Sequence, residues 1–137
     1  MKKLIVMLGI GLLLLFSACT SEMTDSLDDS SLNLSWQTIT ATEARNMMAE
    51  TNDFILLDVR TVAEFQERRI DGAILIPYDE IRERAEAELP DKDTTIFIYC
   101  RSGRRSAVAA AELAALGYTN IYDFGGIIDW PYESISG

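Results

Sequence analysis

The 137-residue chain has no histidine and only two cysteines, Cys19 and Cys100. Without histidine, a cysteine–histidine pair is excluded as a way of activating a nucleophile. Any thiol chemistry must draw on local electrostatics instead. Positive charge is also scarce: 12 Lys and Arg stand against 22 Asp and Glu, a net charge of −10. Such a chain repels phosphate polyanions, which argues against nucleic acid as a partner. A long apolar run is missing too. Leu4 to Phe16 is uncharged but only 13 residues long, whereas a permanent spanning helix needs about 20.

The short run has company that gives it a meaning. Lys2 and Lys3 precede it, and Ser17, Ala18 and Cys19 follow. A basic end, an apolar middle and small residues at a cut site make the layout of a secretory signal peptide. An uncleaved anchor helix is the alternative. The run Leu15-Phe16-Ser17-Ala18-Cys19 resembles the bacterial lipobox, with Phe16 where an aliphatic residue is usual. That resemblance implies cleavage after residue 18 and lipidation of Cys19. Two acyl chains anchor stably where one does not. The expectation is a membrane-anchored lipoprotein facing the extracytoplasmic side, in a periplasm or at a cell surface. Losing residues 1–18 removes two lysines and no acid. The remaining ten basic and 22 acidic residues give −12.

Residues 19–35 then read as the lipidated Cys19 and an acidic tether. From Thr20 to Ser35 there is no basic residue and no aromatic, too little apolar surface to offset the entropy of ordering. As a coil it would span roughly 20–25 Å, and at most about 50–60 Å. The folded domain is expected over residues 36–137. Thr40 with Glu43 and Thr61 with Glu64 have capping-box spacing, so helices should open at residues 41 and 62. Ala44, Met47 and Met48 recur at helical spacing. Phe54–Leu57 and Thr95–Tyr99 are short continuous apolar runs, suited to strands buried on both faces. Residues 73–76 and 121–124 read as further strands, and 79–89 as a charged helix. A helix over 104–116 is apolar nearly all round and should be packed on several sides. Gly125-Gly126 reads as a turn, with one helical turn after it. Strands alternating with helices make an α/β domain with a mainly parallel central sheet and helices on both faces.

Ligands in such folds bind beyond the carboxyl ends of the strands, which is where Cys100 falls. If Cys19 carries lipid, Cys100 has no partner within the chain, and a lone thiol in an often oxidising compartment is either deeply buried or used. Cys100-Arg101-Ser102-Gly103-Arg104-Arg105-Ser106 joins a buried strand to a helix N-terminus. A helix N-terminus and nearby arginines lower a thiol pKa. Gly103 permits a positive φ that turns successive amides inward. The loop therefore suits an anion held beside a thiolate. Arg105, at the helix start, is the candidate for gripping that anion, and Arg101 and Arg104 the candidates for the rim. The competing reading is a core thiol beneath three surface charges.

The loop resembles the active-site loop of single-domain rhodanese-like sulfurtransferases. Leu57-Asp58-Val59-Arg60, Glu64-Phe65, Ile70-Asp71-Gly72-Ala73 and Ile76-Pro77 resemble that family's upstream motif. Gly117-Tyr118, Ile121-Tyr122, Gly125-Gly126 and Trp130 resemble its C-terminal motif. Arg68-Arg69 stands where Gly-His is usual. The resemblance implies a three-layer rhodanese-like domain and a Cys100 that carries sulfane sulfur as a persulfide. The sulfur would pass from an anion such as thiosulfate to a thiol or cyanide. Residues 101–106 would then bind the donor, and Asp58 and Arg60 would brace the fold beside the loop, with an Arg60–Glu64 pair adding structure. No metal or organic cofactor is implied. Two other readings remain at this point. One is a non-catalytic persulfide carrier or sensor using the same cysteine. The other is a cysteine phosphatase or arsenate reductase, although those have a histidine before the cysteine and five residues before the arginine, against Tyr99 and four here.

Overall fold

The computed structural model describes residues 35–137. The expected signal peptide, the expected lipidation site Cys19 and nearly all of the expected tether lie outside the described residues. The elements run β1 Trp36–Thr38, α1 Ala41–Glu50, β2 Phe54–Asp58, α2 Val62–Glu67, β3 Ile74–Leu75, α3 Ile81–Glu88, β4 Thr95–Cys100, α4 Arg104–Ala115 and β5 Ile121–Gly126. The strands form one sheet in the order β1-β5-β4-β2-β3, and every pairing in it is parallel.

Alternation along the strands sorts the core into two layers. Ile55, Leu57, Ile96, Ile98, Cys100 and Ile121 pack with Ile81 and Ala85 of α3 and Ala109 and Leu113 of α4. Phe54, Leu56, Phe97, Tyr99 and Phe124 pack with Ala44, Met47 and Met48 of α1 and with Trp130. Helices thus cover both faces of a central sheet. Leu57 and Ile98 are fully buried, and each stabilises the fold by roughly 1.5–3 kcal/mol relative to leaving it in water.

Both capping boxes form. Thr40 accepts from the Glu43 N–H, Thr61 accepts from the Glu64 N–H, and each glutamate returns a bond to the cap backbone. Three expectations need correction. The charged helix begins at Ile81, because the Glu80 N–H donates to the Pro77 carbonyl and makes a turn first. The strand expected over 73–76 is reduced to two residues. Helix α4 is not enclosed: Ala109, Ala110 and Leu113 are buried, but Val108 is exposed. Alanine is small enough to pass either as core or as surface, so its run did not mark the open face.

Gly125-Gly126 is also no turn. It continues β5, where the pairing steps from Ile98↔Asp123 to Cys100↔Gly126. Between those pairs Tyr99 of β4 stands against two residues of β5, Phe124 and Gly125, a bulge of the kind that re-aims chain next to functional sites.

Candidate active site

Cys100 ends β4, with β5 on one side of that strand and β2 on the other. The connection after β2 runs through α2 to β3, and the one after β4 runs through α4 to β5. They leave in opposite directions, so a crevice opens at the carboxyl ends between β2 and β4. Gly103 is the N-cap of α4 with φ 107°. That left-handed conformation costs a residue with a Cβ roughly 1–2 kcal/mol. It turns the Gly103 N–H back onto the Cys100 Sγ at 3.0 Å.

The thiol donates to the Ser106 Oγ at 3.6 Å, and the Ser106 hydroxyl donates to the Gly103 carbonyl at 3.0 Å, with the Gly125 carbonyl at 3.4 Å. Burial is the largest single influence on Cys100 and pushes its pKa up. The Ser106 hydroxyl and the N–H groups of Ser106, Gly103 and Ser102 pull it down and together prevail, so the thiol lies below its ordinary value. Hydrogen bonds to the charged form are the cause. This separates Cys100 from an inert core thiol. The residue is only 1% exposed, yet the peptide nitrogens around it point inward. Over it lies the loop, whose Arg101, Ser102 and Arg104 are exposed, and reactants must enter through that ring.

Close backbone contact fixes the loop. A Cβ on Gly126 would stand 2.2 Å from the Arg101 carbonyl oxygen and 2.6 Å from the Ser102 Cα, distances no side chain can occupy. The Ile128 N–H donates to the same Arg101 carbonyl at 3.3 Å. Gly126 thus lets β5 press the loop onto the sulfur.

A profile for the family described as the rhodanese-like domain matches residues 40–131. The chain belongs to the rhodanese-like family. It is 37% identical over 81 residues to the thiosulfate sulfurtransferase PspE of Escherichia coli K12, covering 59% of this chain and 78% of that one. It is 43% identical over 89 residues to a sulfurtransferase of Allochromatium vinosum, covering 64% and 81%. Among solved structures, a rhodanese with anions from E. coli superimposes with a TM-score of 0.57 at 36% identity, over 61% of this chain and 98% of that one.

In this rhodanese-like domain the ion pairs differ from the expected ones. Arg60 does not pair with Glu64. Its Nε and Nη2 grip the two Asp58 carboxylate oxygens at 2.7–3.1 Å, with both side chains nearly inaccessible. Arg60 also donates to the Arg68 carbonyl and lies over the Tyr99 ring. Asp58 and Arg60 therefore form a buried brace across the sheet face opposite Cys100. Glu64 instead takes Arg105: Nη1 and Nη2 each donate to one carboxylate oxygen at 2.8 Å. The fork expected to grip an anion is already filled. From the sequence Glu64 read as a cap and as a partner for Arg60; its actual partner, Arg105, lies 41 residues away, beyond any local signal. The arrangement follows from the crevice, since α2 and α4 flank it from opposite sides.

A second buried acid, Asp123, also went unread. It is 3% exposed, accepts the Gly125 N–H at 2.9 Å, and is pushed up by burial. A cavity of about 760 Å³ lies on the α1 side, bounded by Phe54, Leu56, Trp130 and Tyr132. No cysteine lines it.

Proposed function

We propose that the protein is a thiosulfate-type sulfurtransferase that carries sulfane sulfur on Cys100. The reading rests on its family and on one observation above all: inward-facing peptide N–H groups that hold the Cys100 pKa down. The thiolate attacks the outer sulfur of thiosulfate. A new S–S bond forms, the old one breaks, and sulfite leaves with the electron pair. The persulfide is again an anion in the same cup. An acceptor thiolate or cyanide then attacks the outer sulfur and returns Cys100 as thiolate. Dividing one displacement into two lowers each barrier, and the loop amides stabilise both sulfur anions without rearranging. Arg101 and Arg104, exposed at the rim, draw donor anions toward a molecule that is otherwise strongly acidic. The name of the PspE relative supports thiosulfate as donor.

Steady-state transfer from thiosulfate to cyanide, measured beside aryl-phosphate hydrolysis, tests the assignment. Wild type should turn over only the first and Cys100→Ser neither. Phosphate hydrolysis alone would overturn it, and uptake of one sulfur without turnover would make the protein a carrier.

The reading extends to the N-terminus: the domain hangs from a lipidated Cys19 on the extracytoplasmic side. Metabolic labelling with radioactive palmitate should mark the wild type and not Cys19→Ala. An unlabelled wild-type protein would contradict the anchor.

A further inference from the structure

We infer that Glu64 sets how strongly the Cys100 cup holds an anion, by keeping the Arg105 charge compensated. The inference rests on the sulfurtransferase reading for its biological sense, but its physical content stands apart from it.

Arg105 opens α4 beside the loop, and its charge is felt at Cys100. An unpaired guanidinium there would present its fork to any oxyanion in the cup. Instead both terminal nitrogens are engaged by the two oxygens of a single carboxylate. The pair is largely shielded, at 18% and 26% side-chain exposure. Glu64 is itself held: its Oε2 also accepts from the Thr61 N–H and hydroxyl, both at 3.0 Å. The Arg105 bond is the strongest influence drawing its pKa down, to about 2, so the carboxylate is ionised at neutral pH.

The consequence is an anion site with little net charge of its own. Peptide dipoles stabilise the sulfur anion on Cys100 and the departing charge, while the compensated arginine leaves the free sulfite and thiosulfate dianions weakly held. In a two-step transfer this favours release of the first product. An uncompensated arginine would tighten donor and product together and slow the departure of sulfite. Glu64 is therefore a specificity-determining residue that acts through Arg105, not one that touches the reacting atoms.

Glu64→Gln separates this role from capping, because glutamine at the third helical position also completes a capping box. The first readout is independent of sulfur transfer: the rates at which iodoacetate and iodoacetamide alkylate Cys100. The neutral reagent reports thiol reactivity, and the ratio of anionic to neutral reagent reports charge at the cup. The ratio should rise roughly fivefold in Glu64→Gln, the scale of one uncovered charge several ångströms away in a partly screened cleft. It should fall in Arg105→Gln and return toward wild type in the double variant. An unchanged ratio in folded Glu64→Gln would overturn the inference. The second readout is product inhibition by sulfite, which should tighten by a similar factor in Glu64→Gln along with a lower KM for thiosulfate. If wild type transfers no sulfur but the alkylation ratio responds as stated, the functional reading fails and the electrostatic inference stands.

Discussion

Replacing Ser106 with alanine removes a single hydroxyl from beneath the reacting sulfur. The site is fully buried, so water does not take its place. The Gly103 carbonyl that the hydroxyl served keeps a second partner, the Ala107 N–H at 3.2 Å, which limits structural damage. A hydrogen bond to an ionised group is worth about 1.5–3 kcal/mol. The 3.6 Å separation from the Cys100 Sγ argues for the lower end. At a pH below the thiol's midpoint, a loss of about 1.4 kcal/mol reduces the thiolate population about tenfold. The more basic thiolate that remains is intrinsically more nucleophilic, with a Brønsted coefficient of about 0.4–0.5. The observed rate should therefore fall by about threefold. On ionisation of Cys100 the Ser106 hydroxyl, which accepts from the neutral thiol, turns its hydrogen from the Gly103 carbonyl to the sulfur; losing that donor to the charged form moves the midpoint upward. Iodoacetamide alkylation of Cys100 across a pH series measures both quantities. A midpoint that stays put or moves down in a folded Ser106→Ala protein would mean that the hydroxyl contributes nothing to the anion.

Asp58→Ala should cost about 3–5 kcal/mol in urea unfolding, because it strands a buried guanidinium; activity at low temperature in the surviving folded fraction should persist. Gly126→Ala should abolish transfer and lower Tm, because its Cβ meets backbone at 2.2 Å. Gly72→Ala is the contrast: its φ is 81° but the space around it is open, so it should cost only about 1–2 kcal/mol and spare activity. The Glu64 carboxyl is depressed to about 2 from 4.5. Its stabilisation is therefore complete above the unfolded value and is lost as pH falls from about 4.5 through about 2. Thermal midpoints over that window should fall less steeply in Glu64→Gln than in wild type.

The parallel sheet was legible because its strands are buried on both faces, which leaves uninterrupted runs such as Ile96-Phe97-Ile98. The helix starts were legible because a capping box is a local contact across three residues. Gly103 was legible as a positive-φ position because it sits at the strand-to-helix junction behind a cysteine. What escaped is what depends on distant segments. The extra residue in β5 shows only against its partner strand. Gly125-Gly126 looked like a turn because glycine serves turns and close approaches equally well. Arg60 and Arg105 each had acids nearby in sequence or in space, and charge alone does not choose between them. Burial chose: Asp58 and Arg60 are sealed together under Tyr99, while α2 and α4 bring Glu64 to Arg105.

Intact mass spectrometry of the domain after exposure to thiosulfate decides whether Cys100 takes up sulfur. One sulfur atom should be gained on Cys100, removed by cyanide and absent in Cys100→Ser. No mass change in a folded protein, or sulfur located elsewhere, would contradict sulfur carriage on Cys100.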